Sequence, residues 1–124
     1  YPKGQWDSFD FLINNKKINV KSTKHYGNLM LLEEGDWNSN AEYIPNISTN
    51  NHIYDLFVLL RIDSVTNKYD IPGFVTRSNL LQIIQNEHII KKGQLLNGRI
   101  SMDANNYYVQ AGDMRSINTF SSFL

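Results

Sequence analysis

The chain has 124 residues, 41% of them hydrophobic, and no cysteine, which suits one globular domain over 1–124 with a modest core. Without cysteine there is neither a disulfide framework nor a thiolate metal site, and a reducing, cytoplasmic setting is the expectation. Formal charge is zero, from 12 basic and 12 acidic residues, but unevenly spread. Residues 1–30 carry five lysines against Asp7 and Asp10, a net of +3, and the remainder carries −3. That asymmetry favours an anionic partner near the start of the chain, or else describes ordinary solvated lysines.

No apolar run approaches the roughly 18 to 20 residues that span a bilayer, so no membrane partner is expected. The three histidines, at 25, 52 and 88, are not within helical reach of one another and give a histidine zinc site no support. The chain opens Tyr1-Pro2 rather than with methionine and reaches its first patterned strand within ten residues. An N-terminal piece that has been removed or lies outside this sequence is therefore expected.

In chain order, Phe9 to Ile13 and Lys17 to Ser22 read as strands joined by Asn14-Asn15, a pair that tolerates the positive φ of a tight hairpin turn. "NLMLLEEGDW" gives a third apolar run, followed by "NSNAEYIPNISTNN", polar enough for a surface loop. "IYDLFVLLRI" is nearly continuous in apolar and β-branched residues, as in a strand buried on both faces, so helices are expected to cover the sheet. In "IPGFVTRSNLLQIIQNEHII" the period shifts: Leu80, Leu81, Ile83 and Ile84 fall on one helical face as core, with Thr76 or Ser78 as N-cap. Lys91, Lys92 and Gly93 are expected to end that unit. A short strand at Tyr107 to Gln110 follows, and "NTFSSFL" is either a frayed end or a docked apolar tail. The order predicts an α/β (α+β) layered domain with a mostly mixed sheet.

The hairpin turn has a consequence for chemistry. With Asn14-Asn15 at the turn, cross-strand partners sum to 29, which places Asp10 opposite Asn19 and Ser8 opposite Lys21. Lys21 is two residues from Asn19 and shares its face. A carboxylate with a second oxygen ligand beside it can hold a hard cation such as magnesium, and a neighbouring lysine can orient or activate the water that attacks phosphorus. The plainer alternative is a surface hairpin whose solvent face is polar, with a loose Asp10–Lys21 pair worth less than about 1 kcal/mol. Phe9, Phe11, Ile13, Ile18 and Val20 form the opposite, apolar face, expected to pack on a core.

These residues resemble a family. "DFLINNKKINVK" is similar to the acidic strand, turn and (D/E)-x-K hairpin of the PD-(D/E)XK nucleases, the restriction-endonuclease-like superfamily. "KSTKHYGN" and "DLFVLLRI" are similar to its continuation in bacterial type II restriction enzymes. The likeness covers about Tyr1 to Asp63, with a less specific echo in "KKGQLLNGRISMDANNYYVQAGDMR". It implies a restriction-endonuclease-like core, a mixed central sheet of about four to five strands flanked by helices. It also implies a Mg²⁺-dependent (Mn²⁺ possible) endonuclease of a restriction-modification system, acting on double-stranded DNA as a homodimer. By resemblance, Asp10 is the metal-binding acid and Lys21 the motif lysine. Asn19 stands where the family has Asp or Glu, and the Val20 carbonyl is the neighbouring ligand. Asp7 is a second candidate for the first acid, on the other face unless the strand bulges. The family core begins with a helix ahead of the acidic strand, which nothing before Tyr1 supplies.

An amide at 19 brings oxygen without charge. Three explanations stay open: a natural variant in which Glu33 or Glu34 on the next strand supplies the missing carboxylate, an engineered inactivation, or a domain that binds nucleic acid without cutting it. A catalytically silent nucleic-acid-binding or protein-interaction domain that keeps the nuclease fold is thus the alternative function. Ser22, Thr23, Lys24, His25 and Tyr26 follow the motif with hydroxyls and cations of the kind that position a phosphate backbone, or form a polar loop. Arg61 either sits at a strand end with its head in water or pairs an acid. Tyr107, Tyr108, Gln110 and Arg115 are types that stack on or hydrogen-bond bases, or are plain sheet surface.

Overall fold

The computed structural model describes residues 6–24, 29–44, 52–63, 65–96 and 100–124, and for 6–10, 24, 52, 95–96 and 100–101 it describes the backbone alone. The strands are β1 (Trp6–Ile13), β2 (Lys16–Lys24), β3 (Leu29–Glu33), β4 (Glu42–Tyr43), β5 (His52–Ile53), β6 (Leu56–Asp63) and β7 (Lys68–Thr76). After helix α1 (Arg77–Gln85) come β8 (Ile89–Ile90), β9 (Leu95–Leu96), β10 (Ile100–Ser101) and β11 (Asn106–Gln110). Short 3₁₀ turns occupy Glu34–Asp36, Ala111–Asp113 and Ile117–Phe123.

The hairpin forms as its turn residues dictate. Asn14 and Asn15 adopt φ of 51° and 64°, the left-handed pair that matches the twist of two antiparallel strands. β1 and β2 begin a four-stranded sheet in the order β1-β2-β6-β7. β2 and β6 run parallel, and the other neighbours antiparallel. The sheet is mixed, and β6 lies inside it, with Leu56 to Leu59 all buried. That is the burial its apolar run calls for.

Parallel neighbours need a crossover, and here the structure departs from the expected helical layers. The segment between β2 and β6 carries β3, a 3₁₀ turn, β4 and β5, with no α-helix among its described residues. β3 pairs with β11, which pairs in turn with β8, making a second, antiparallel three-stranded sheet. Strand-type alternation explains the choice: Met30 and Leu32 on β3, and Tyr107 and Val109 on β11, are buried with exposed or half-buried residues between them. A period of two buries one face of a strand, where a helix would need a period near 3.6.

Register divides the four-stranded sheet into two faces. Phe57, Leu59 and Val75 face the second sheet and α1, joining Met30, Leu32, Leu80, Tyr107 and Val109 in the main core. On the other face Ile18, Leu56, Val58 and Phe74 form a second cluster. The chain's last residues cover it: Ile117, Phe120, Phe123 and Leu124 pack there, with the Phe120 and Phe123 rings 5.2 and 5.3 Å from that of Phe74. The end is a docked tail. Gly73 permits the close approach, since a Cβ there would lie 2.6 Å from the Arg115 carbonyl oxygen.

α1 is shorter than its periodic stretch suggested. Residues 68–76 extend as β7, and Thr76 caps the helix in a capping box with Asn79: the Asn79 N–H donates to Thr76 Oγ1 (3.2 Å) and the Thr76 N–H to Asn79 Oδ1 (3.0 Å). Leu80 is buried, and Leu81, Ile83 and Ile84 pack against the same core. The helix stops at Gln85 rather than near Lys91, because Glu87 turns left-handed (φ 52°) and Ile89–Ile90 join the second sheet. Among the described residues no helix is long and apolar enough to cross a membrane.

Candidate functional site

The β1–β2 register follows the sum of 29: Asp10 stands opposite Asn19 and Ser8 opposite Lys21. On its other side β2 is flanked by β6, with Asn19 beside Phe57 and Lys21 beside Leu59. Asn19, Lys21 and Thr23 therefore belong to the face that carries the main core, and Ile18, Val20 and Ser22 to the opposite one.

Burial of the polar face differs along the hairpin: it is enclosed on β2 away from the turn, while Leu12, on the same face near the turn, is 71% exposed. Asn19 is 3% exposed and Thr23 1%, and Lys21 is half-buried. The polar row of β2 points into the fold. Placing an amide and a hydroxyl there costs free energy unless each is hydrogen-bonded. The opposite face behaves as expected at Ile18 and Val20, which join the second cluster. Toward the turn that face is open: Phe11 is 54% and Ile13 40% exposed.

The same burial corrects part of the expected nucleic-acid surface. Ser22 is 4% exposed, and like Thr23 it sits inside the sheet, out of reach of a polynucleotide backbone. Pairing with β6 makes both residues part of the sheet, where the local sequence suggested a polar loop. The backbone of Lys24 ends β2; its side chain, His25 and Tyr26 lie outside the described residues. So do the side chains of Asp7 and Asp10.

Glu33 does not join the hairpin's sheet. It is exposed at the end of β3, paired with Asn106 in the second sheet. Glu34 is held at the same end: its N–H donates to the Asn105 carbonyl (2.8 Å) and its Oε1 accepts from Asn105 Nδ2 (3.1 Å). The sequence reading let the strand from Asn28 to Glu33 lie beside the hairpin and end near its edge, but β3 pairs with β11 instead. Val20 pairs with Phe9 on one side and Val58 on the other, so its carbonyl belongs to the ladder of the sheet. Among the described residues no three His, Asp or Glu side chains gather as a metal-holding group.

The remaining candidates are placed as follows. Arg115 is tied down: its N–H and C=O exchange hydrogen bonds with Phe74 (2.9 and 3.1 Å), its Nε donates to Asn79 Oδ1 (3.2 Å), and its guanidinium lies 5.1 Å from the Phe123 ring centre. Arg61 pairs an acid, with Nε 2.8 Å from Asp70 Oδ1 and an Nη 2.5 Å from Oδ2, across directly opposed positions of β6 and β7. That guanidinium holds the Asp70 carboxyl below its usual 3.8. Tyr107 is core. Burial, then the charges of Glu34 and Glu87, push its phenol above the usual 10.0. Tyr108 is half-buried and stacks on His88.

One tie has no local signal in the sequence. Asp55 Oδ2 accepts from the Lys17 N–H (2.9 Å), the Asp55 N–H donates to the Lys17 carbonyl (2.8 Å), and the Asp55 carbonyl accepts from the Arg77 N–H (3.1 Å). Lys17 Nζ lies 4.8 Å from the Tyr54 ring centre. One residue thus locks β2, β6 and the start of α1, and with them the position of Asn19 and Lys21. Its main partner is 38 residues away, beyond any short motif.

No family model matches the chain, and no curated protein or solved structure matches it.

Proposed function

We propose that the domain is a metal-dependent endonuclease of restriction type, hydrolysing phosphodiester bonds in double-stranded DNA within a bacterial cytoplasm. One observation carries the reading. The hairpin register sets Asp10 opposite Asn19 with Lys21 two residues along, and on β2 this row is enclosed at Asn19 and half-buried at Lys21, which a merely solvating surface does not require.

In this reading Asp10 and the amide oxygen of Asn19 hold Mg²⁺ or Mn²⁺, with the Val20 carbonyl beside them. The described residues fit a hard cation only in part: Asn19 offers a neutral oxygen, the Val20 carbonyl already belongs to the sheet ladder, and the negative charge such an ion needs would come from Asp10. When bound, the cation offsets the charge that builds on the phosphate oxygens. Lys21 orients and activates the attacking water, and Lys24, His25 and Tyr26 contact the duplex backbone. Cutting both strands of a symmetric site calls for two copies, hence a homodimer.

A specific observation favours a second reading. Residue 19 is an amide, and Glu33, a candidate to replace its charge, belongs to the other sheet. A catalytically silent domain that binds nucleic acid needs no such charge. The test is supercoiled plasmid with and without Mg²⁺ or Mn²⁺, using the protein alongside Lys21→Ala and Asn19→Asp. Metal-dependent nicking abolished by Lys21→Ala and raised by Asn19→Asp supports the nuclease. Absence of cutting by every folded variant, with salt-sensitive DNA binding retained, leaves the silent domain.

A further inference from the structure

At the far edge of the four-stranded sheet from β1, a cleft of about 250 Å³ opens between α1 and β11. Its floor is apolar: Val75 and Val109 are buried and Ile83 half-buried. Its rim carries the exposed primary amides of Gln82, Asn86 and Gln110. One wall is made by His88 and Tyr108, whose rings stack 5.4 Å apart at an interplanar angle of 8°. The Tyr108 N–H donates to the His88 carbonyl (3.2 Å), so the pair is set by the backbone before any ligand arrives.

The charge of the lining selects against anions. Asp113 supplies a carboxylate, and no lysine or arginine is among the lining residues. A phosphate would meet that carboxylate, and the Arg115 guanidinium, bonded through Nε to the lining residue Asn79 (3.2 Å), stands outside the lining itself. The volume falls below the roughly 300 Å³ at which pockets for drug-sized ligands begin, so the occupant is about one ring system. Flat rings stack on His and Tyr, and Asn or Gln amides, donor and acceptor in one plane, match the edge of a purine.

We propose that this cleft binds an uncharged purine base, stacked against the His88–Tyr108 pair with its edge read by Asn86 and Gln110. No lining residue of the cleft belongs to the β1–β2 hairpin, and the inference does not rest on the nuclease reading. The base can come from a free nucleoside or from an unstacked position in a single strand.

Amide chemical-shift titration of the full chain with adenosine tests the site, beside a short oligodeoxyadenylate and glucose. Adenosine is expected to shift the resonances of Asn86, His88, Tyr108 and Gln110. Asn86→Ala, an exposed position, is expected to weaken binding about tenfold, and His88→Ala by at least as much. Tighter binding of the oligonucleotide at the same residues identifies a strand as the source, and binding of adenosine alone identifies a free nucleoside. Either supports the site. No shifts at those residues with millimolar adenosine, or shifts from glucose and none from adenosine, overturn it.

Discussion

The two faces of the four-stranded sheet are built from alternate residues of the same strands, yet their contents differ. The face under the C-terminal tail is apolar at Ile18, Leu56, Val58 and Phe74. The face toward the second sheet interrupts its apolar residues with Asn19, Lys21 and Thr23, all from β2. The first face encloses one polar side chain, Ser22, among its apolar residues, whereas the second encloses Asn19 and Thr23 and half-buries Lys21, groups that packing alone does not call for and that must be hydrogen-bonded to sit there without cost. A local rule broken inside an otherwise consistent sheet is where function is expected to reside.

The largest test of that contrast lies on the apolar face. Phe74 is fully buried between Phe120 and Phe123, and Phe74→Ala is expected to cost about 3–5 kcal/mol. Urea unfolding measures it. A loss under about 1 kcal/mol would mean that the tail does not dock there, and the two faces would no longer differ in the way described.

Next comes the polar face. Asn19→Asp places a carboxylate at a site that is 3% exposed and is expected to cost about 3 kcal/mol in EDTA. If Asp10, residue 19 and Val20 hold a cation, Mg²⁺ at a hundred times its dissociation constant returns about 2.7 kcal/mol. Equal denaturation midpoints with and without Mg²⁺ would remove the cation site while leaving the burial intact.

Asp55→Ala examines how the polar row is held in place. Losing an acceptor for the Lys17 N–H is expected to cost about 1–2 kcal/mol. Hydrogen exchange is expected to quicken at Lys17, whose amide loses its carboxylate acceptor, and to stay as it was at Arg77, whose acceptor is the Asp55 backbone carbonyl. Unchanged exchange at Lys17 would show that the sheet ladder alone fixes β2 against β6.

How much of this was legible in the sequence depended on the range of the forces involved. The hairpin and its register were readable because Asn14-Asn15 fixes the turn and parity does the rest. β6 was readable from its unbroken apolar run, and the helix cap from Thr76. The second sheet was not, because "LMLL" looks the same whether a helix or a strand covers it, and β11, more than seventy residues later, decides. The strand pairing that takes Ser22 and Thr23 out of a loop likewise comes from β6, not from their neighbours in sequence. Of the candidate site, the pairing of Asp10 with Asn19 was legible and the place of Glu33 was not.

The smallest expected effect concerns a polar pair that is more exposed than Asn19. Arg61 and Asp70 face each other across β6 and β7 with side chains 21% and 44% exposed. The guanidinium lowers the Asp70 pKa from 3.8 in the folded state, so the native protein binds this proton more weakly than the unfolded chain does. The pair's contribution is therefore present in full above the ordinary carboxylate value and is lost as pH falls below 3.8 through the folded pKa. Solvent screening at that exposure keeps it under about 1 kcal/mol. Asp70→Asn is expected to lower stability by that much at neutral pH and to converge with the parent as the acid limb is descended. A constant gap across the acid range would mean that Asp70 acts through packing or neutral hydrogen bonds, and that ionic pairing on this sheet contributes nothing to its stability.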